Sequence, residues 1–431
     1  MKTFQTILLA IFGFFILAGV IVIATFGRGG GGGGDVLAEG EVWGTLSASF
    51  VDTVVSEFNL ANDNILTITY REFPPETFNQ ELIEALAAGR GPDAVIFTED
   101  LIASYEDKLY TIPFATFSER SFRDIYVEGS ELFLNAEGVL AFPIAVDPMV
   151  LYWNRALFNT ARISAPPSYW DELITLSKSL TKTDSSFNVL QSVIALGEYR
   201  NVTHAKEILS MLVMQAGNPI VIRDAQGRPD VIFAEELNLP EAPAESALRF
   251  YTEFANPVKP VYSWNRSLPP SIDMFTRGDL AMYLGFGSEI VELQERNPNL
   301  NFDVTNVPQI RDSSLATTFG TIYAIGLMKA SDNIAGAFSV ATLLSGADAA
   351  RLWADIAGVV PARRDLLAES QTDKYKSVLY EEALIARGFL DPAPVESDTV
   401  FADLVETITS GRDSISRAVE DAQIRLQTLF E

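Results

Sequence analysis

The stretch from Gly138 to Leu173, GVLAFPIAVDPMVLYWNRALFNTARISAPPSYWDEL, constrains this chain more than any other. Pro143 and Pro148 each hold the preceding residue extended, and Val, Tyr and Trp suit a half-buried pleated surface. The spacing predicts a short strand into Pro143, an extended crossing through Ala145, Val146 and Asp147, and a second strand from Met149 to Trp153. A short helix follows at Arg155 to Phe158. Pro166 and Pro167 then stop the chain before a helix with Ser168 as N-cap and Asp171 and Glu172 in its first turn. An extended crossing between two α/β segments carries a chain from one lobe to another, which sets Asp147, a polar group, beside a cleft.

Strands and helices alternate on both sides of this crossing. A first strand ends at Glu41 to Thr45, and Phe50, Val54, Val55 and Phe58 repeat with helical spacing after it. Ile65 to Tyr70 alternates as a strand, Phe78 to Ala88 is helical and closed by Gly89 and Gly91, and Pro92 to Phe97 is a buried strand. Later come a strand at Val189 to Leu196, a helix at Ala205 to Ala216, strands at Ala281 to Leu284 and Asn301 to Val307, and a closing helical region at Phe401 to Phe430. This order argues for mostly parallel sheets, and 431 residues exceed one compact core. Ligands of such sheets collect beyond the carboxyl ends of the strands. One rim therefore carries Trp43, Thr45 and Ser47 and, from the next strand, Thr98, Glu99 and Asp100. The alternatives at this point are Trp43 as core and Glu99 and Asp100 as helix caps.

Composition removes several function classes. A formal charge of -26 leaves nothing basic to neutralise phosphates, so nucleic acid is not a partner. Aromatic residues make up 11%, too many for an acidic disordered tail. The absence of cysteine rules out disulfides, thiolate nucleophiles and cysteine metal sites. His204 is the one histidine, so histidine-based catalysis would rest on it alone; its place at a helix start reads as an ordinary surface or capping residue. No cofactor or metal is called for.

Ile7 to Phe26 is an apolar run broken only by Thr25, and about 20 such residues span a hydrocarbon core. Lys2 before it and Arg28 after it favour, weakly, a cytoplasmic amino end. Leu17-Ala18-Gly19-Val20 resembles a lipoprotein processing box with valine in place of the lipidated cysteine, which points to an uncleaved anchor over residues 1–28 rather than a cleaved signal. A six-glycine run at Gly29 to Gly34 lies in a flexible linker, residues 29–35.

The order of G-x-hydrophobic-A-F-P, an acid at Asp147, hydrophobic-Y-W-N-R and PP-x-x-W-D-E-L resembles the hinge region of bacterial extracellular solute-binding proteins, the maltose-binding-protein-like family. AAGRGPDAVIF, MFTRGDLAMYLGFGSEIVEL, the second crossing around Thr318 to Gly326 and SGRDSISRAVEDAQIRL extend the resemblance from about Val36 to Leu429, with Asp184 to Val258 weakest. It implies an α/β, two-lobed periplasmic-binding-protein fold of type II, each lobe a mostly parallel sheet flanked by helices, behind one N-terminal transmembrane helix. Lobe 1 would take residues 36–146 and 324–372, lobe 2 residues 147–323 and 373–431, with Ala145, Val146, Thr321 and Ile325 as hinges.

By position, the resemblance places Glu198, Tyr199 and Asn201 in the cleft with Gly285, Phe286, Ser288, Tyr323 and Arg363. The maltose type has a tryptophan near Ser288; here Phe286 would supply the stacking face, which weighs against a long linear sugar. The implied role is capture of a small polar solute, usually a sugar, for the permease subunits of an ABC importer, with cationic solutes open. A tethered sensor acting on a receptor and a glycoside-processing enzyme are the competing readings.

Overall fold

The structure, a computed structural model, describes residues 38–61, 66–186, 188–313, 315–354 and 358–431. The apolar run and the glycine run lie outside the described residues. Among the described residues no helix is long and apolar enough to cross a membrane.

Strand β1 (Ala38–Gly44) pairs in parallel with β2 (Leu66–Glu72) and β3 (Ala94–Thr98), with helices α1 (Ala48–Ala61) and α2 (Pro75–Ala87) between them. The first four residues of β3, Ala94 to Phe97, are buried, as an interior parallel strand covered on both faces requires. Helix α2 begins with a proline in its first turn, buries Phe78 and Leu82 one turn apart, and gives way to Gly89 at φ +64°.

Two strands belong to both halves of the molecule. β4 (Ala141–Asn154) and β9 (Thr318–Leu327) run antiparallel, from Ala141 opposite Gly326 to Pro148 opposite Gly320. β9 also pairs with β3, Tyr323 opposite Thr98, so one sheet has the order β2-β1-β3-β9-β4. Past Pro148, β4 pairs antiparallel with β7 (Leu280–Phe286) and β8 (Phe302–Thr305). β7 is parallel to β6 (Val189–Ile194), whose outer edge takes the short β5 (Lys182–Thr183). The first sheet is thus mostly parallel with β9 reversed; in the second only β6 and β7 pair in parallel, with β4 and β5 both running against them, so the expected mostly parallel sheet holds for the first lobe and not for the second. The reversal follows from geometry: the parallel strands of each lobe aim their carboxyl ends at the other lobe, so a strand leaving one meets its new neighbours head-on.

At the waist, β10 (Val360–Pro361) pairs with Val146 and Ala145, and β11 (Ala386–Arg387) pairs with Thr318 and Phe319. The crossing is therefore a four-strand band, β10-β4-β9-β11, and not a bare linker. Pro143 is tolerated inside β4 because it sits at an irregularity in register, where Ile144 has no residue opposite it. Helix α3 (Ala205–Gln215), helix α4 (Glu289–Arg296) and the helix pair α5 (Pro394–Thr409) and α6 (Ile415–Thr428) complete the second half. The helix expected after Ser168 opens instead as a 3-10 turn, Trp170–Glu172. Ser168 does not cap it through its side chain; its N–H donates to Glu172 Oε2 at 3.1 Å. Trp170 is locked by its indole N–H on Gln215 Oε1, 2.6 Å away in the interior.

Candidate functional site in the cleft between the lobes

Asp147 lies opposite Thr321 in the middle of the waist and is 4% exposed. Its Oδ1 accepts the N–H of Ser288 at 3.0 Å, at the start of α4. Two glycines make this approach possible. A Cβ on Gly287 would lie 2.6 Å from the Gly358 carbonyl, and one on Gly358, at φ +85°, would lie 2.1 Å from Ser288 Cα. Burial pushes the Asp147 carboxyl up to about 7, although the Ser288 hydrogen bonds and His204 pull the other way.

Glu289 closes the second-lobe side. Oε1 accepts from the Phe286 N–H at 2.7 Å and bonds His204 Nε2 at 2.7 Å, while Oε2 accepts from Tyr283 at 2.5 Å. His204 precedes α3 at φ +60° and makes no side-chain cap bond; its ring meets the edge of Phe286 with 4.8 Å between centroids. Burial opposes charge on His204, but the Glu289 hydrogen bond and charge outweigh it and raise its pKa. It stands at the N-cap position the sequence suggested, but is half-buried and turns its side chain to Glu289 and not to the helix. Its partner stands 85 residues away, which no local pattern encodes.

From the first lobe, Thr98 donates to Asp100 Oδ1 at 2.5 Å, and the buried Glu99 accepts the Ile322 N–H on Oε2 at 2.6 Å. Burial raises the pKa of both carboxyls; Thr98 and Lys206 lower that of Asp100. Tyr323 senses the centre of the cleft: burial raises its pKa, and Asp147, Glu99 and Asp100 push it further. Lys206 on α3 faces this rim, but its ammonium is taken by Asp391 Oδ2 at 2.9 Å, the Pro394 carbonyl at 3.2 Å and Ser397 Oγ at 3.3 Å.

Glu198, Tyr199 and Asn201 converge on a neighbouring pocket of about 270 Å³ with Arg200, Arg266 and Glu406. Glu198 meets Arg266 at 3.4 Å, and Tyr199 donates to Asp398 Oδ1 at 2.5 Å. Asn201 ties loops together: it donates to the Asn265 and Leu268 carbonyls and accepts from the Trp264 indole. Trp43 is buried against Phe73, 4.6 Å between centroids, with Arg71 over its ring and its indole N–H on Glu41. This is the core alternative. Thr45 is half-buried, and Ser47 is exposed with its hydroxyl on Ser49. Gly285 packs beside Tyr283 and Glu289, and Arg363 is engaged by Asp365 next to Tyr126. Ala145, Val146 and Thr321 lie within the waist, whereas Ile325 pairs with Ile96 and Phe142 inside the first sheet. Among the described residues no group of His, Asp and Glu could hold a metal ion.

Strands that thread both halves and gather buried polar groups where they cross are the build of two-lobed solute-binding proteins. The chain belongs to the bacterial extracellular solute-binding protein family, which it matches over residues 44–351. In fold it is similar to a cyclo/maltodextrin-binding protein complexed with maltotetraose, at 15% identity, covering 93% of this chain and 98% of that one with a TM-score of 0.73. It is similar also to a cyclic alpha-maltosyl-1,6-maltose binding protein from Arthrobacter globiformis, at 17% identity, 92% and 99% coverage and a TM-score of 0.73. An ABC substrate-binding protein from Listeria monocytogenes in complex with cycloalternan gives 15% identity, 91% and 99% coverage and a TM-score of 0.66. Among curated relatives, binding proteins of Brucella abortus (strain 2308) and Brucella suis biovar 1 (strain 1330) are each 24% identical over 160 residues, 37% of this chain. The matched region spans 38% of the length of those relatives. The family and the structural neighbours are binding proteins, not enzymes.

Proposed function

We propose that this chain is the extracytoplasmic solute-binding component of an ABC importer, that its lobes close on a small sugar, and that the apolar segment before the glycine run tethers it to the cell membrane with the amino end cytoplasmic. In this reading the fold is of type II, lobe 1 takes residues 36–146 and 324–372, and lobe 2 takes residues 147–323 and 373–431. The observation that carries the proposal is the buried Asp147, set in β4 where that strand passes from one sheet to the other and bonded to the N–H of Ser288 at the start of α4. A sugar hydroxyl donating to its carboxylate would contact the waist and both rims together. Tyr323 from the waist, Phe286 from the second lobe and Asp100 from the first supply further polar and ring contacts, and bending at Ala145, Val146 and Thr321 would bring the rims together. The sugar-binding neighbours support a carbohydrate over other polar solutes.

A thermal-shift screen of the full-length protein tests this. A solute present at 100 times its Kd stabilises the folded state by about 2.7 kcal/mol. Mono- and disaccharides should raise Tm where amino acids do not. No shift with any saccharide would remove the sugar assignment.

A further inference from the structure

His204 holds a backbone conformation that most side chains avoid. At φ +60° it is left-handed, a state that costs an L-residue energy and persists only where the surroundings impose it. The residue before it is pinned: the Thr203 N–H donates to Ser271 Oγ at 2.9 Å, and the Ser271 hydroxyl donates to Thr203 Oγ1 at 3.0 Å. The imidazole is thereby sent to Glu289 and not to α3. Glu289 Oε1 meets two partners at 2.7 Å each, His204 Nε2 and the Phe286 N–H, so the ring and the end of β7 share one oxygen. Gly285 makes room for this, since a Cβ there would lie 2.9 Å from Oε1 and 3.1 Å from Oε2. The half-buried Phe286 ring stands nearly perpendicular to two others, His204 at 4.8 Å and Phe319 at 6.3 Å between centroids. Phe286 is opposite Met149, two residues from Asp147 along β4, and Phe319 is two residues before Thr321, the partner of Asp147. Opposite and alternate positions share a face of a sheet, so both rings lie on the face that carries Asp147.

We infer that His204 and Glu289 are a positioning pair: without touching the solute, they hold the Phe286 ring beside Asp147 as the wall against which it lies. The inference rests on the sugar-binding reading above and adds to it what sets that wall. Tyr283 donates to Glu289 Oε2 at 2.5 Å, so the carboxylate is fixed on one side by a neutral hydroxyl and on the other by the imidazole. A protonated His204 bonds Glu289 as an ion pair, while a neutral one donates the same bond from Nε2 without the attraction. Hydrogen bonds to charged partners are about twice as strong as neutral ones. The charges of Glu289, Glu207 and Asp147 all favour the His204 proton and outweigh the burial that opposes it. The grip on a sugar therefore declines as His204 loses that proton, above the ordinary imidazole range.

Two measurements on the full-length protein test this. In the first, magnetic resonance follows the ring of the single histidine and the backbone amide of Phe286, the latter identified by its loss in Phe286→Leu. With no solute present, the Phe286 amide should titrate in step with the His204 ring. It should lose that step in His204→Asn, which suits the left-handed backbone but is too short to reach Glu289. In the second, calorimetry compares maltose binding to the wild type and to Glu289→Gln, which keeps an oxygen for the Phe286 amide. The wild type should bind about fivefold more tightly at about pH 5.5, and the gap should close at about pH 9. Asp147 titrates in both proteins, so the ratio between them carries the result and not either curve alone. A Phe286 amide that ignores the His204 titration overturns the inference whether or not a sugar binds, and so does a ratio that is the same at both pH values. Should a variant fail to fold, the wild-type titration of ring and amide decides. If maltose and other disaccharides do not bind while the amide follows the ring, the positioning pair stands and the sugar reading falls.

Discussion

Replacing Asp147 by asparagine should stabilise the empty protein while weakening its hold on a solute. Asparagine keeps the oxygen that accepts the Ser288 N–H and loses only the ionisation. Burial moves the Asp147 carboxyl from 3.8 to about 7, so the folded state keeps this proton at pH values where the unfolded chain has lost it. Ionisation therefore penalises the folded state. The penalty is absent below about pH 4, grows as pH rises, and is complete above about pH 7. Three pKa units correspond to about 4 kcal/mol, the advantage Asp147→Asn should show at about pH 8 against about 0.5 kcal/mol at about pH 4. Loss of a charged acceptor should weaken sugar binding about 10- to 100-fold. Urea unfolding of both proteins at about pH 4, 6 and 8 measures the first effect and calorimetry the second. A stability gap that does not change with pH would refute the reasoning, because it would mean that Asp147 ionises freely in the folded state.

Arg223 Nη2 meets Glu106 Oε2 at 2.8 Å and joins a separate two-stranded hairpin, Val221–Arg223 with Pro229–Val231, to the segment that follows β3. Arg223→Ala should shift the empty protein toward the open form by about 1 kcal/mol, roughly fivefold, visible as a larger radius of gyration in solution scattering. An unchanged scattering curve counts against the pair as a latch. At the waist, Gly358→Ala combines positive φ with a collision at Ser288, and should lower stability by about 1–3 kcal/mol with a matching drop in Tm. An unaltered Tm would show that β10 does not depend on that close approach.

The sequence disclosed the crossing because its signals are local. Two prolines, a run of strand-forming residues and the proline pair after it leave few other shapes, and the buried β3 reads directly from Ala94 to Phe97. Sites built from distant partners stayed hidden. His204 and Glu289 are 85 residues apart and Lys206 and Asp391 are 185 apart, and nothing in the periodicity of either segment links them. Trp43 shows a third limit: a tryptophan at the end of a strand can turn to either side, and the choice depended on Phe73 and Arg71 being carried to it by β2. Ile325 was expected at the hinge, yet it lies deeper, because the sheet of the first lobe extends further along β9 than its sequence marks.

β4 serves two sheets along one unbroken run of 14 residues. Side chains on a strand alternate between faces, so adding or deleting a single residue between Ala145 and Pro148 would turn every later position of β4 inside out and present Leu151 to the wrong layer. Length variation of that kind, harmless in a surface loop, is lethal to the second lobe when placed here.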